Sequence, residues 1–177
     1  MVSDINIRPA NIDDRYALAR VIVDATYHAF RGVAPDKSLE SLTVEESAAN
    51  WPRSRRENQD AVILVAEVAG LDVIGLVMVG SVRSDRLTTT QVPKDVNSEL
   101  YSLQVDPAWQ RRGIGRMLVD RARTLGRESG SRGTLVKVLS VNPNVAFYEA
   151  LGARLIGSEP YDWEGFTTEE LVYAWTD

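Results

Sequence analysis

Apolar positions alternate with polar ones in some stretches of this chain and recur every three or four residues in others, and the change of period marks out its elements. Ile5 and Ile7 alternate with polar neighbours ahead of Pro9, which predicts a first strand. Asn11 can cap a helix that carries Ile12, Tyr16, Ala19, Val23 and Tyr27 at helical spacing and ends at Gly32. Arg31 to Ser41 reads as a loop. Thr43 followed by Glu46 resembles a capping box, opening a second helix that ends near Trp51-Pro52. The charged run from Arg53 to Asp60 reads as a solvated connection. Ala61 to Val68 and Val73 to Val82 are rich in Val, Ile and Leu and flank Gly70-Leu71-Asp72, the pattern of a β-hairpin. Arg83 to Val96 is polar and reads as an exposed loop, either a connector or part of a substrate site.

In the second half Tyr101, Leu103 and Val105 alternate, Asp106-Pro107 ends that strand, and Ile114, Leu118, Ala122 and Leu125 then recur with helical spacing to about Arg127. Thr134 to Val141 predicts another strand, and Asn142-Pro143-Asn144 opens a short helix through Leu151 that Gly152 ends. Arg154 to Ile156 begins a sixth strand, Ser158 to Gly165 reads as an aromatic loop, and Glu169 to Trp175 is a closing strand with Leu171, Tyr173 and Trp175 on one face. Strands and helices interleave without an internal repeat, so the expectation is a single α+β (α/β layered) domain over residues 1–177.

Composition narrows the chemistry. With no cysteine, disulfides, Cys-based zinc sites and a cysteine nucleophile are excluded, and with His28 as the only histidine neither a His-rich metal site nor a Ser-His-Asp triad is expected. A net charge of −5 argues against a nucleic-acid partner and suits a cationic amine. No apolar run approaches membrane-spanning length and no signal-like segment opens the chain, so no membrane partner and a cytoplasmic location are expected.

One stretch stands out within this acidic chain. Gln110-Arg111-Arg112-Gly113-Ile114-Gly115-Arg116 joins the Tyr101–Val105 strand to the Ile114 helix, so its consecutive N–H groups project from a helix N-terminus amid a cluster of arginines. Glycine there lets an anion approach the backbone, and the helix dipole favours it. A dinucleotide fingerprint would need a third glycine where Leu118 stands, and a P-loop would need Gly-Lys-Ser/Thr. The corner is expected at the surface.

The flanks of the corner carry a resemblance. Glu-Leu-x-x-Leu-x-Val-x-Pro precedes Gln-Arg-Arg-Gly-Ile-Gly, and Asn-Pro-Asn-Val-Ala-Phe-Tyr-Glu-Ala-Leu-Gly follows it. Across roughly residues 60 to 157 this is similar to the acetyl-CoA core of the GNAT superfamily of N-acetyltransferases. The resemblance implies a mixed, mostly antiparallel sheet with helices on both faces, whose fourth and fifth strands splay into a V that takes the pantetheine arm. It implies acetyl-CoA as acetyl donor and direct transfer to a primary amine without an acyl-enzyme; no metal is expected, and the compact domain without a basic or extended docking segment points to a small-molecule amine as acceptor. Protein or peptide acceptors and a non-catalytic acyl-CoA sensor are the alternatives, and a homodimer is left open.

Carried over residue by residue, the resemblance assigns cofactor contacts to Leu103, Gln104 and Val105 on the fourth strand and to Arg111, Arg112, Gly113, Ile114, Gly115 and Arg116 at the corner. It adds Asn142 or Asn144, either of which could instead be a helix cap. Tyr148 matches the family's recurrent tyrosine, near the cofactor sulfur, where a phenol can protonate the departing thiolate. Glu99 matches a carboxylate that some members use as general base, with Glu67, Glu169, Glu170 or water as rivals. The family builds its acceptor site from segments that correspond here to Tyr27–Leu42, Arg83–Val96 and Ser158–Gly165, with Tyr27, His28, Trp51, Tyr161 and Trp163 as candidate lining residues.

Overall fold

Residues 5–51, 57, 59–69 and 72–176 are described by the computed structural model. Gly70 and Leu71 of the expected hairpin turn, Pro52, and much of the Arg53–Asp60 connection lie outside the described residues. The alternating stretches form strands β1 (Ile5–Pro9), β2 (Val62–Val68), β3 (Val73–Ser81), β4 (Val96–Val105), β5 (Gly133–Leu139), β6 (Arg154–Trp163) and β7 (Phe166–Thr176). They join one sheet in the order β1-β2-β3-β4-β5-β7-β6. Neighbours run antiparallel except β4 and β5, which are parallel and flank α4 (Ile114–Glu128) as a crossover.

The helical stripe of α4 behaves as its spacing requires: Ile114, Leu118, Val119 and Ala122 are fully buried against Leu64, Val77, Leu100 and Val136. The short α5 (Val145–Ala150) closes the same face, where Tyr148, Tyr173 and Trp175 meet. The opposite face carries α1 (Arg15–Phe30), α2 (Asp36–Glu40) and α3 (Val44–Ala49). There Leu18 and Val21 pack on Ile63, Val65, Leu76 and Met78. Among the described residues no helix is long and apolar enough to cross a membrane.

Local chemistry explains most boundaries. Asn11 forms a full capping box with Asp14, and Arg8 pairs with Asp14 at 2.8 Å, fixing the chain as it leaves β1 for a 3₁₀ turn and then α1. Thr43 accepts the N–H of Glu46 at 3.2 Å and starts α3. Three sequence expectations fail. Ile12 and Tyr16 are more than half exposed, because α1 is wedged between the sheet and α3 and buries Leu18, Val21 and Ala25 as well as Ala19 and Val23, not a single stripe. The Arg31–Ser41 loop contains α2, begun at Pro35 and held by the buried Leu39.

The third concerns the aromatic loop Ser158–Gly165, which is largely strand. β6 and β7 stay paired out to Trp163↔Phe166, and Glu164 and Gly165 turn the hairpin with φ of 51° and 89°. Two positive φ values in a two-residue loop match the twist of the strands, and Asp162 stabilises the turn by accepting the Gly165 N–H at 3.0 Å.

β4 and β5 pair only from Val96↔Gly133 to Leu100↔Val136. Beyond that point β4 keeps β3 and β5 keeps β7, so the sheet opens into a V. At the opening Met78 faces Ser102 while Val79 faces Leu100, which leaves Tyr101 as an extra residue in a bulge.

Because α4 holds the two arms together on one side, Leu118→Ala is expected to cost about 2–5 kcal/mol, the range for a fully buried leucine. Urea unfolding monitored by circular dichroism checks this, with the native spectrum retained.

Candidate active site

The glycine corner is built to leave donors free. Asp106 accepts the Ala108 N–H at 2.9 Å, Gln110 donates to the Val105 carbonyl at 3.0 Å, and Gly113, at φ 84°, starts α4 in the left-handed region. Among the described residues no group accepts the N–H of Arg111, Arg112, Gly113, Ile114, Gly115 or Arg116; the helix ladder begins with Met117 N–H on the Gly113 carbonyl. Arg111 also takes a positive φ, 62°, as consecutive N–H groups turned toward one anion require. Arg112 lies over Trp109 and the Arg116 side chain is exposed, whereas Ile114 sends its side chain into the core and offers only backbone. Gly115 is not simply a surface residue: a Cβ there would stand 3.2 Å from the Phe147 ring, so it also sets the approach of α4 to α5.

Arg20 on α1 secures the start of this corner. Its guanidinium donates to Asp106 at 2.8 Å and to the Val73 carbonyl at 2.9 Å, tying α1 to the turn that aims the free N–H groups.

The V supplies the second element. From Tyr101 to Val105 alternate backbone groups of β4 face β3, and the others face the opening without a strand partner. Leu103, Gln104 and Val105 are half-buried along this edge. An elongated ligand carrying amides can fill it as an added strand.

Tyr148 sits on α5 in the core cluster that also holds Leu100 of β4 and Val136 and Val138 of β5. Its ring is buried, edge-on to Phe147 at 5.3 Å and to Trp175 at 6.3 Å and stacked on Tyr173 at 6.5 Å. Burial pushes its phenol up to about 12. Among the described residues its hydroxyl has no partner, yet no fully buried side-chain polar atom is left unsatisfied, so the hydroxyl reaches open space. Asn142 spends its carbonyl oxygen on the Asn144 N–H at 2.8 Å, and Asn144 occupies the cap position of α5 without making a side-chain cap bond.

Glu99 lies at the base of the V, wholly buried. Arg83 meets it with its backbone N–H at 2.8 Å, Nε at 3.1 Å and Nη2 at 2.5 Å, and the same guanidinium covers the Tyr101 ring at 3.9 Å. Its rivals are placed differently. Glu67 is bonded to Asn6 and Arg8 where β1 meets β2, Glu170 is paired with the buried Lys137 at 2.6 Å, and Glu169 is exposed.

The side opposite α4 is framed by α1 to α3 and by the segment between β3 and β4. A cavity of about 360 Å³ lies under α1 and α3, floored by Ile63, Leu76 and Met78, reaching Ser102 beside the bulge and bounded by Trp51. Of the other candidate aromatics, Trp163 is packed edge-on to Phe30 at 5.5 Å with Tyr27 in the same cluster, and His28 is exposed. The Arg83–Val96 segment is not a plain connector. The buried Glu159 on β6 accepts the N–H groups of Thr88, Thr89 and Thr90 at 2.8, 3.1 and 2.7 Å and the Thr88 hydroxyl at 2.6 Å. Burial alone would raise the pKa of this carboxyl; the bonds from Thr88 and Thr90 outweigh it and hold it well below the carboxylate range. Leu87 and Val92 pack on Val96, Leu135, Val172 and Ile156, and a Cβ at Gly157 would stand 2.5 Å from Thr90. Sequence reading missed Arg83, Glu159 and Arg20; a threonine run facing a lone acidic position on a distant strand was the only available signal.

A corner of free N–H groups and an open strand edge fit a long, amide-bearing pyrophosphate ester. Comparisons with known proteins give the family. The family model described as the acetyltransferase (GNAT) domain matches residues 59–152, just over half of the chain. The uncharacterized N-acetyltransferase YuaI of Bacillus subtilis (strain 168) is 24% identical over 173 residues, which span 98% of this chain and 94% of the relative. Among solved structures, the PaiA N-acetyltransferase of Thermoplasma acidophilum in complex with coenzyme A superposes with a TM-score of 0.72 at 19% identity, covering 98% of this chain and 99% of that one. YncA of Salmonella typhimurium, with its cofactor acetyl-CoA, gives 0.67 at 21% identity, covering 98% and 94%. The chain is an acetyltransferase and belongs to the GNAT superfamily.

Proposed function

We propose that this enzyme acetylates the primary amine of a small molecule by direct attack on acetyl-CoA. The observation that carries the reading is the V between β4 and β5, with partnerless β4 backbone along one arm. Residues Arg111 to Arg116 would hold the pyrophosphate and Leu103 to Val105 the pantetheine amides, with Asn142 or Asn144 at its edge. Bound there, the cosubstrate supplies an activated thioester carbonyl. The cavity of about 360 Å³ under α1 and α3 supports a small acceptor, since that volume lies within the range for small-molecule sites. A peptide acceptor remains the competing class, and the comparison of free amines with peptide N-termini decides between them.

In this reading the neutral amine nitrogen bonds to the carbonyl carbon and the carbon–sulfur bond breaks. N–H groups of β4 stabilise charge on the carbonyl oxygen, and Tyr148 gives its proton to the leaving sulfur and recovers one from the nitrogen as it becomes the amide. The ammonium must first lose a proton. Bonds from Arg83 occupy both Glu99 oxygens, so in this reading Glu99 acts through water rather than by touching the amine.

Thiol-release assays over amine and peptide panels test the function, and no CoA release with any acceptor would sink it. Tyr148→Phe should lower kcat by roughly 10²- to 10⁴-fold while acetyl-CoA affinity, read by calorimetry, stays near that of the parent. Because its phenol is held near 12, Tyr148 stays protonated through neutral and mildly alkaline pH, so the parent's kcat profile should show no alkaline fall from this group below about pH 11. The same raised value has a stability consequence with a definite sign. Below the unfolded tyrosine value of about 10 the group contributes nothing, and above it ionisation favours the unfolded chain, so stability falls as pH rises toward 12.

At the corner, Gly113→Val is the clean substitution, since no atom lies within 4 Å of a Cβ there and only its φ of 84° is disturbed. It should weaken acetyl-CoA binding more than Arg111→Ala does. Equal affinity of Gly113→Val and the parent, in a folded sample, would remove the pyrophosphate assignment.

A further inference from the structure

The cavity of about 360 Å³ under α1 and α3 has walls of two kinds. Its floor belongs to the sheet and is apolar: Ile63 on β2, with Leu76 and Met78 on β3. Leu18 and Ile22 of α1 continue that apolar lining. The other helix is polar where it meets the cavity. Thr43 caps α3, and Glu46, Ser47 and Asn50 follow it at helical spacing, so hydroxyl, carboxylate and amide groups form this side. Glu46 is the one charged lining residue among those described, its carboxylate has no partner among them, and its sign suits an ammonium.

The register of the sheet gives the floor a direction. Ile63 lies opposite Met78, and Met78 lies opposite Ser102, so the three side chains form one row on the same face of β2, β3 and β4. The row spans about 10 Å, two strand spacings, and passes from apolar to hydroxyl. Its polar end sits at the opening of the V. Pairing of β4 with β5 stops at Leu100, and Ser102 stands between that point and Leu103, where the proposed path of the donor begins. The apolar end lies beneath the helices. Protein interiors are close-packed, and apolar side chains that border a volume of this size forgo contacts that a closed core would make. A sheet face shaped for stability alone would close it.

We infer that the cavity seats an apolar acceptor body, so that the preferred substrates are primary amines carrying an aromatic or branched aliphatic group. This rests on the acetyl-transfer reading above and names the substrate class of the same site. The body lies over Ile63 and Met78, whose polarisable thioether suits an aromatic ring, and the nitrogen reaches Ser102 beside the open strand edge.

The test compares ethylamine, butylamine, 3-methylbutylamine and 2-phenylethylamine as acceptors, by kcat/KM from thiol release with the full-length protein. The parent's kcat/KM should rise by about fourfold with each added carbon that the floor covers, giving roughly 50-fold between ethylamine and 3-methylbutylamine, with 2-phenylethylamine at least as good. Ser47→Trp, which adds bulk to the cavity from α3, should lower kcat/KM for 2-phenylethylamine at least about tenfold more than for ethylamine, and Ser47→Leu should do so to a smaller degree. Glu45→Trp puts the same bulk on an exposed position of that helix outside the lining, and should keep the parent's ranking. Calorimetry with acetyl-CoA shows in each variant that the donor site is intact, and the ratio of variant to parent cancels the differing basicity of the amines. A series with no gain from ethylamine to 2-phenylethylamine, or a gain that survives Ser47→Trp and Ser47→Leu undiminished, overturns the inference and leaves the transfer reading standing. CoA release with peptides alone overturns it together with the choice of a small acceptor, and no CoA release with any acceptor overturns the transfer reading as well.

Discussion

Everything in this molecule turns on the refusal of two parallel strands to stay paired. A sheet gains most from unbroken ladders, because backbone polar groups removed from water without partners are costly. Here β4 and β5 part after Leu100 and Val136. The opening persists because each arm is secured elsewhere: the first by β3, the second by β7, both on one side by α4 and α5, and both on the other by α1 and the fastened segment after β3. The Tyr101 bulge takes up the divergence locally. What the sheet forgoes in hydrogen bonds becomes a vacancy with the chemistry of a missing strand.

Charge is handled with the same economy around the opening. The carboxylate at its base, the one on the second arm and the one beneath the threonine run have partners of three kinds: a guanidinium, an ammonium and backbone N–H groups. Desolvated ion pairs contribute little net stability but punish rearrangement, because separating either partner leaves a buried charge unmatched. The consequence is a rigid mouth in which electrostatic freedom is confined to a few groups.

The sequence made the elements and the corner legible because both are local. Caps at Asn11 and Thr43, the α4 stripe, and the Asp-Pro and Asn-Pro-Asn breaks act within a few residues, and they fall where expected. The Leu171, Tyr173, Trp175 face of β7 does too. The glycine corner emerged with its N–H groups free, as its position before a helix foretold. What escaped was non-local. Nothing around Thr88 announces a bond to Glu159, seventy-one residues away, and nothing at Arg83 announces Glu99 across a strand turn. The misread aromatic loop has the same origin: Ser158 to Trp163 lacks strong alternation and becomes strand because β7 offers it a continuous edge. Gly115 was legible as a glycine of the corner, while its contact with Phe147 depends on how two helices meet.

The bond between Arg20 and Asp106 joins the first helix to the turn that leads into the glycine corner. Asp106 opens that turn, and Arg20 belongs to the helix that roofs the cavity of about 360 Å³. A displacement of α1 would therefore be felt at the turn, while the Val73 carbonyl held by the same guanidinium keeps the sheet as the fixed reference. Were the two proposed ligands to bind at these two places, linkage would make any coupling between them reciprocal: what one contributed to ordering the helix, the other would return in equal measure.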